Sequence, residues 1–421
     1  MGITGLLQNT RSIQTPFRIS SIKGKKVAVD GMGWLHLALY PVAEEIYYGK
    51  PYLKQFVRYF MARVVRLLEN NIDVIIVFDG MKLPAKLNTH VQRSDRIQTA
   101  KDNAKKNLHI DADIAKKHMQ SAVKISSVHI DAVQKELQLN GVEFMVAPFE
   151  SDSQLTYLCK NKLVDYVITE DSDLMIYGCP KIIFKLDKIE QGQGFLVDIN
   201  DIGKCKEMNF KNWSMAQFRT FGILCGCDYL DNIKGIGPKR ANELVNKFKT
   251  IDKVVYNIRT MKSTVPAGYL VDFKRVEKMF IYQYVFDPRT KKIVHLTPVP
   301  ETFMNDVDNW DLGLILNEKD GELLCTGKKN PRDFQKPINS QSSDVSVEVV
   351  EKENVSVCPL TSNPPKKRHF EIAPSESNLK ISSNIEFRQM INQPKKVKKQ
   401  IQNPFFKKWL NQGSNEDAEN K

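Results

Sequence analysis

The chain has 421 residues, 42% of them hydrophobic, with 62 basic and 49 acidic side chains and a formal net charge of +13. That length suits two or three ordinary domains, no apolar run is long enough for a membrane span, and the N-terminus carries no signal-peptide pattern. Seven scattered cysteines, with only Cys225-Gly-Cys227 as a close pair, argue against a disulfide scaffold or a zinc module and read as reduced packing residues of an intracellular protein.

The positive charge is not confined to the C-terminal end. Residues 331–421 hold 15 basic and 11 acidic residues, which leaves +9 to residues 1–330. A basic body with acids clustered inside it suggests a polyanion processed at a metal site.

In chain order, Lys26-Val-Ala-Val-Asp30 reads as a first strand ending in an acid. Trp34–Ala43 and Phe56–Asn70 read as helices, the second with apolar residues at Phe56, Phe60, Val64, Leu67 and Leu68. Asp73-Val-Ile-Ile-Val-Phe-Asp79 is a buried strand, again closed by an acid and then Gly80. Strand, helix and strand in that order imply a parallel sheet. From Lys82 to about Ile125 charges are dense and apolar residues sparse, and two or three exposed helices are expected to stand off the sheet. Val128–Leu139 reads as helix and Glu143–Ala147 as strand. Pro148 stops that strand, and Glu150-Ser-Asp152 opens the next helix. Tyr166–Thr169 is a strand that runs into Glu170-Asp171-Ser-Asp173, and Lys181–Leu186 is another.

Phe218–Cys225 reads as helix and leads to Gly226-Cys-Asp228-Tyr-Leu230. Gly235-Ile-Gly237 between short helices marks a helix-hairpin-helix. Its glycines let backbone N–H groups approach a phosphate, and Lys239 and Arg240 add charge at the start of the following helix. Helix and short extended pieces continue to about residue 330. Beyond Pro331 the composition turns to Ser, Asn, Gln, Pro, Lys and Glu, which predicts a disordered tail. Its basic clusters, Pro364–Arg368 and Lys395–Lys399, read as nuclear-import or nucleic-acid patches. Asn403-Pro-Phe-Phe-Lys-Lys-Trp409 is a candidate docking peptide.

Seven carboxylates converge in this reading: Asp30, Asp79, Glu150, Asp152, Asp171, Asp173 and Asp228. In open α/β sheets ligands bind at the carboxyl ends of the strands. Acids crowded there need protons or hard cations, and two Mg²⁺ ions about 4 Å apart would suit phosphodiester hydrolysis. No Gly-x-Ser-x-Gly elbow, P-loop or His-Glu-x-x-His motif supports another chemistry. On a helix Lys86 and Arg93 share a face, placed to clamp a phosphate. Arg96, Lys101 and Lys105 read as a solvated face or non-specific phosphate contacts.

Several stretches in series carry a family resemblance. They are Met1-Gly-Ile-Thr-Gly-Leu-Leu7, Val27-Ala-Val-Asp30 with Trp34-Leu-His36, and Val77-Phe-Asp-Gly80 with Leu83-Pro-Ala-Lys86. Val146-Ala-Pro-Phe-Glu-Ser-Asp152, Ile168-Thr-Glu-Asp-Ser-Asp-Leu174 and Gly226-Cys-Asp-Tyr-Leu230 with Gly235-Ile-Gly237 follow. Together they resemble the flap endonuclease/XPG superfamily of structure-specific 5′ nucleases over residues 1 to about 300. Thr264-Val-Pro266 and Tyr282-Gln-Tyr-Val-Phe-Asp-Pro288 resemble its eukaryotic exonuclease 1 branch. The resemblance implies that the seven acids bind two Mg²⁺ or Mn²⁺ ions and that Lys86 and Arg93 are the catalytic bases of a gateway helix. It also implies that His36 stacks on DNA, that Gly2 lies near the site, and that the hairpin holds duplex DNA and a K⁺ ion.

The expected fold is therefore α/β: a mostly parallel central sheet flanked by helices, of the PIN-like 5′ nuclease type, with a helical arch, a helix-hairpin-helix and a disordered tail. Expected divisions are a nuclease region at 1–100, an internal nuclease region at 101–230, the DNA-binding hairpin region at 231–330 and the tail at 331–421. The expected activity is 5′→3′ exonuclease action on double-stranded DNA with some 5′-flap cleavage, on nicks, recessed 5′ ends or flaps. A nuclear monomer acting in mismatch repair and recombination is expected, its tail available to mismatch-repair proteins. The rivals are a flap endonuclease proper, an inactive DNA- or RNP-binding scaffold, and a PIN-like RNase.

Overall fold

A computed structural model of the chain describes residues 2–188, 192–260, 264–303 and 311–334. Pro331–Phe334, expected to open the tail, form a 3₁₀ turn, and the rest of the tail, with its two basic clusters and the Trp409 aromatic cluster, lies outside the described residues. Residues 1–335 cluster as one compact unit.

The elements run β1 (Thr15–Arg18), β2 (Lys26–Asp30), α1 (Gly31–Leu39), α2 (Ala43–Tyr47), α3 (Leu53–Glu69), β3 (Asp73–Phe78), α4 (Leu87–Asn107), α5 (Ala112–Ala122), α6 (Ser127–Leu139), β4 (Glu143–Val146), α7 (Ser151–Lys160) and β5 (Tyr166–Ile168). They continue with α8 (Asp173–Tyr177), β6 (Lys181–Lys188), β7 (Gln193–Asp198), α9 (Met215–Leu224), α10 (Pro238–Phe248), α11 (Ile251–Thr260), α12 (Tyr269–Tyr282), β8 (Tyr284–Asp287), β9 (Lys292–His295) and α13 (Glu318–Cys325).

Seven strands form one sheet in the order β1-β7-β6-β5-β2-β3-β4. The pairings from β6 through β5, β2 and β3 to β4 are all parallel, as the strand–helix–strand rhythm requires. The chain leaves β2 toward β3 and β4, then returns to the other flank of β2 with β5. The strand order thus reverses between β2 and β5, and a crevice opens at their carboxyl ends. Asp30 and Asp171 stand on either side of that point.

Two further strands extend the sheet past β6, with β1 at its edge. β1 pairs antiparallel with β7, and β7 antiparallel with β6. The helix expected at Trp34–Ala43 begins earlier and breaks sooner. Asp30 caps α1 by accepting a hydrogen bond from Gly33 N–H, and Pro41 falls in a 3₁₀ turn at Tyr40–Val42. The amphipathic helix expected over Phe56–Asn70 forms as α3, burying Phe56, Phe60, Met61, Val64 and Leu67.

The charged stretch after Lys82 folds into the pair α4 and α5. They pack on each other and on α2 through a small apolar cluster of Ala43, Ala104, Ala115 and Met119, edged by Tyr47, Leu108 and Val123. This arch carries Lys86 at its foot and Arg93 along its first helix. Strands β8 and β9 form a separate hairpin that docks on α7. The described cysteines form no disulfide.

Candidate active site and nucleic-acid interface

The crevice at the β2/β5 switch point is lined by Asp30, Met32, His36, Asp79, Lys86, Arg93, Glu150, Ser151, Asp152, Asp171 and Asp228. Residues read as separate strand ends and helix starts therefore meet in one place. Six of the seven expected carboxylates face it.

Backbone N–H groups hold Asp30, Asp79 and Asp171. Asp30 Oδ1 accepts from Gly33 N–H at 3.0 Å, and its Oδ2 accepts from the Thr169 hydroxyl at 2.9 Å. That hydroxyl also accepts from Asp171 N–H at 3.0 Å, so one buried threonine ties the ends of β2 and β5 together. Asp79 Oδ1 accepts from Ser151 N–H at 2.9 Å, at the N-terminus of α7, where a carboxylate is favoured. Gly80 makes that approach possible, because a Cβ there would lie 1.9 Å from the Ala147 carbonyl oxygen.

Asp173 is the exception. It does not line the crevice wall, being 3% exposed, and its Oδ1 accepts from Ile3 N–H at 2.9 Å, beside Asp171. Its own N–H donates to Asp171 Oδ1 at 3.0 Å. Glu170, the remaining acid of that cluster, turns away to accept from Lys185 N–H at 2.9 Å. Gly2 lies against the same acids with φ +86°, and a Cβ there would stand 2.2 Å from Asp171 Oδ1.

Lys86 and Arg93 reach into the acids. Lys86 Nζ lies 2.7 Å from Glu150 Oε2 and 3.2 Å from Asp228 Oδ2, and Arg93 Nη2 donates to Asp228 Oδ2 at 2.7 Å. Lys86 sits at the N-cap of α4, in the preceding 3₁₀ turn, rather than sharing a helix face with Arg93, yet both bases reach one carboxylate. Among the described residues no three His, Cys, Asp or Glu side chains stand grouped to hold an ion as they are. Side-chain cations occupy part of that place instead.

Titration follows from this geometry. Burial, with the charges of Asp79 and Asp171 added, pushes Asp30 up to about 6. Burial and neighbouring acids raise Asp152 and Asp173 well above the usual carboxylate range. Burial also raises Asp171 and Glu150. Asp228 goes the other way: burial alone would raise it, but Lys86 and Arg93 together hold it down. Burial would lower Lys86, and Glu150 and Asp228 more than offset that, so it stays charged. Burial and nearby Arg93 lower His36. A set of hard oxygen donors that two side-chain cations leave under-neutralised fits divalent cations of the Mg²⁺ type.

The expected nucleic-acid contacts sort by position. His36 lies in the crevice and Arg96 is exposed on α4. Between α9 and α10, Gly235 takes φ +84° and Gly237 caps α10 with open space around it. Buried Ile233 and Ile236 anchor the loop, and Asn232 Nδ2 donates to the Ile236 carbonyl at 3.0 Å. Exposed Lys239 and Arg240 open α10, whose N-terminus favours an anion.

Residue types alone left four contributors unseen. Thr169 and Ser151 serve the site through a hydroxyl and a backbone N–H. Tyr229 donates its hydroxyl to Glu150 Oε2 at 2.5 Å, backed by Tyr177. The position of Tyr229, directly after Asp228, was the available signal.

The sequence pattern of the XPG N-terminal domain matches residues 1–100, and that of the XPG I-region matches residues 141–228. The chain is 36% identical to exonuclease 1 of Oryza sativa over 312 residues, covering 73% of this chain and 37% of the rice protein. It is 31% identical to the DNA damage-inducible protein DIN7 of Saccharomyces cerevisiae over 309 residues, covering 72% of this chain and 71% of that protein. The catalytic core of Rad2 in complex with DNA substrate superposes with a TM-score of 0.51 at 21% identity, over 77% of this chain and 99% of that one, a likeness of fold. The chain spans 37–42% of the length of the first exonuclease 1 relatives it matches. Its two XPG regions and these shared stretches place it by descent: the chain belongs to the exonuclease 1 branch of the XPG family.

Proposed function

We propose that the chain is a divalent-cation-dependent 5′→3′ exonuclease of double-stranded DNA that also cuts 5′ flaps. The observation that carries this reading is the contact of Lys86 and Arg93, from the arch, with acids at the sheet's switch point. Asp30, Asp79, Glu150, Asp152, Asp171, Asp173 and Asp228 would hold two Mg²⁺ ions, with Mn²⁺ as a substitute. Bound there, divalent cations supply an activated water and charge stabilisation for in-line hydrolysis of a phosphodiester.

The chain's own residues do the rest. Lys86 and Arg93 leave the carboxylates for the scissile phosphate and stabilise the charge developing on it. Gly2 lets the N-terminal segment lie flush against Asp171. His36 meets the DNA beside the crevice, and Arg96 steers phosphates along the arch. The hairpin at Gly235–Gly237, with Lys239, Arg240 and a K⁺ ion at its backbone, grips the duplex away from the cut. Nicks, recessed 5′ ends and 5′ flaps are the substrates, and DNA repair in the nucleus, including mismatch repair and recombination, is the setting. The protein works as a monomer, with the tail offered to mismatch-repair partners.

The test is cleavage of a labelled nicked duplex with a recessed 5′ end, in Mg²⁺ and in EDTA, with Asp171→Ala beside the wild type. Short 5′ products that need the cation and vanish in the variant are expected. Tight DNA binding without cleavage in any cation would replace this reading with that of a scaffold.

A further inference from the structure

Behind the crevice lies a buried polar chain that the proposed chemistry does not use. Tyr229 Oη donates to Glu150 Oε2 at 2.5 Å. Tyr177 Oη lies 2.9 Å from Tyr229 Oη and 3.4 Å from the side-chain amide of Gln283. Tyr177 and Gln283 are fully buried, and the Phe280 ring packs edge-on against both tyrosines.

Donor counting gives this chain a direction. Ionised Glu150 only accepts, so Tyr229 gives it its one proton. Tyr177 must then donate to the Tyr229 oxygen. Gln283 is left to donate to Tyr177, and turning its amide by 180° aims there the Nε2 that otherwise has no partner. The result is a relay that runs from the amide through two hydroxyls to the carboxylate.

A second bridge runs in parallel. Gln154, on α7 one turn after Glu150, donates through Nε2 to the Phe286 carbonyl at 2.8 Å and accepts from Phe286 N–H at 2.7 Å. The segment 283–286 therefore braces the acid-bearing end of α7 twice, once through backbone and once through the tyrosines.

Glu150 Oε2 is also the oxygen that Lys86 contacts, and Lys86 Nζ sits 5.0 Å from the centre of the Tyr229 ring. Of the two donors on that oxygen, Lys86 is the one at the foot of the arch. When Lys86 turns to a phosphate, Tyr229 alone remains to hold the carboxylate.

We propose that Tyr229 is a positioning residue that keeps Glu150 aimed into the crevice, held in turn by Tyr177 and by Gln283 of the segment 282–287. This rests on the cation-dependent nuclease reading for its consequence in turnover, but not for its effect on cation binding. Removing a hydrogen-bond partner of a metal-ligating carboxylate costs about 10–100-fold in metal affinity or activity.

Tyr229→Phe deletes only the hydroxyl, and Gln283→Leu removes the far donor at similar volume. The full chain is titrated with Mn²⁺ and the thermal unfolding midpoint followed, beside turnover on the nicked duplex and DNA affinity in EDTA. Tyr229→Phe is expected to raise the half-saturating Mn²⁺ concentration about tenfold or more and to lower kcat, with DNA affinity in EDTA unchanged. Gln283→Leu should act in the same direction but more weakly, and the double variant should be no worse than Tyr229→Phe. A wild-type Mn²⁺ titration in Tyr229→Phe overturns the proposal, as do effects that simply add. If the wild type does not cleave DNA but Tyr229→Phe still weakens the Mn²⁺ response, the nuclease reading fails and the positioning role stands. No Mn²⁺ response in the wild type overturns both.

Discussion

Asp30→Asn should make the cation-free protein more stable. Asp30 is 4% exposed, and burial with the charges of Asp79 and Asp171 lifts its pKa from 3.8 to about 6. The folded protein therefore holds this proton more tightly than the unfolded chain does. The cost of ionising it is fully present above pH 6 and fades as the pH falls toward 4. A shift of this size is worth about 3 kcal/mol at neutral pH. Asparagine keeps the acceptor for Gly33 N–H, but its Nδ2 forces the Thr169 hydroxyl to reverse, at a cost of about 1 kcal/mol. The net expectation is a gain of about 2 kcal/mol in EDTA at pH 7.5, or roughly 4 °C in the unfolding midpoint. Urea unfolding followed by tryptophan fluorescence at pH 7.5 and 4.5 measures it. The gain should shrink toward zero at the lower pH. In excess Mg²⁺ the order should reverse, because binding at about 100 times Kd stabilises the wild type by about 2.7 kcal/mol and the variant by less. A variant less stable than the wild type in EDTA at pH 7.5 would refute the claim that Asp30 is held ionised against its surroundings.

Lys86→Met removes a buried ammonium from between Glu150 and Asp228, and should cost about 3 kcal/mol in EDTA, largely recovered by Mg²⁺. Equal urea midpoints in EDTA would contradict that role. Gly2→Ala places a Cβ against Asp171 at a left-handed backbone angle, and should cost about 1–3 kcal/mol and most of the turnover. Wild-type cleavage by that variant would show that the N-terminal segment can move aside. Lys239→Glu with Arg240→Glu should weaken duplex binding and flatten the dependence of log affinity on log salt by about 2, at unchanged cleavage under saturating DNA. An unchanged slope in a salt series would take α10 out of the DNA contact.

Much of the sheet was legible because its central strands are buried on both faces. Such strands must be continuous apolar runs, so an acid at the end of Val27–Val29, Val74–Phe78 or Val167–Ile168 marks both the strand's end and the site. Asp30, Asp79 and Asp171 could therefore be placed together before any contact was seen. Strand β1, at the sheet's edge, escapes because such strands carry polar residues, as in Thr15-Pro-Phe-Arg18, and β7 because Gln193-Gly-Phe-Leu-Val-Asp198 is a short run opened by a polar residue and a glycine. The helix over Trp34–Ala43 was misplaced at both ends because its limits depend on the Asp30 cap and on Pro41.

What the sequence by itself determined is the kind of site: acids at parallel strand ends, two bases seven residues apart, and a glycine hairpin with charge beside it. Each is a matter of spacing along the chain, which local periodicity converts directly into direction. The tertiary structure decided which groups touch. It turned Glu170 out and Asp173 inward, set Lys86 and Arg93 on Asp228, and brought Gln283 and Tyr177, 106 residues apart, into one hydrogen-bonded chain with Tyr229. Those choices rest on burial and on partners far away in sequence. A buried donor or acceptor is costly unless it is matched, and the match exists only once the layers have packed.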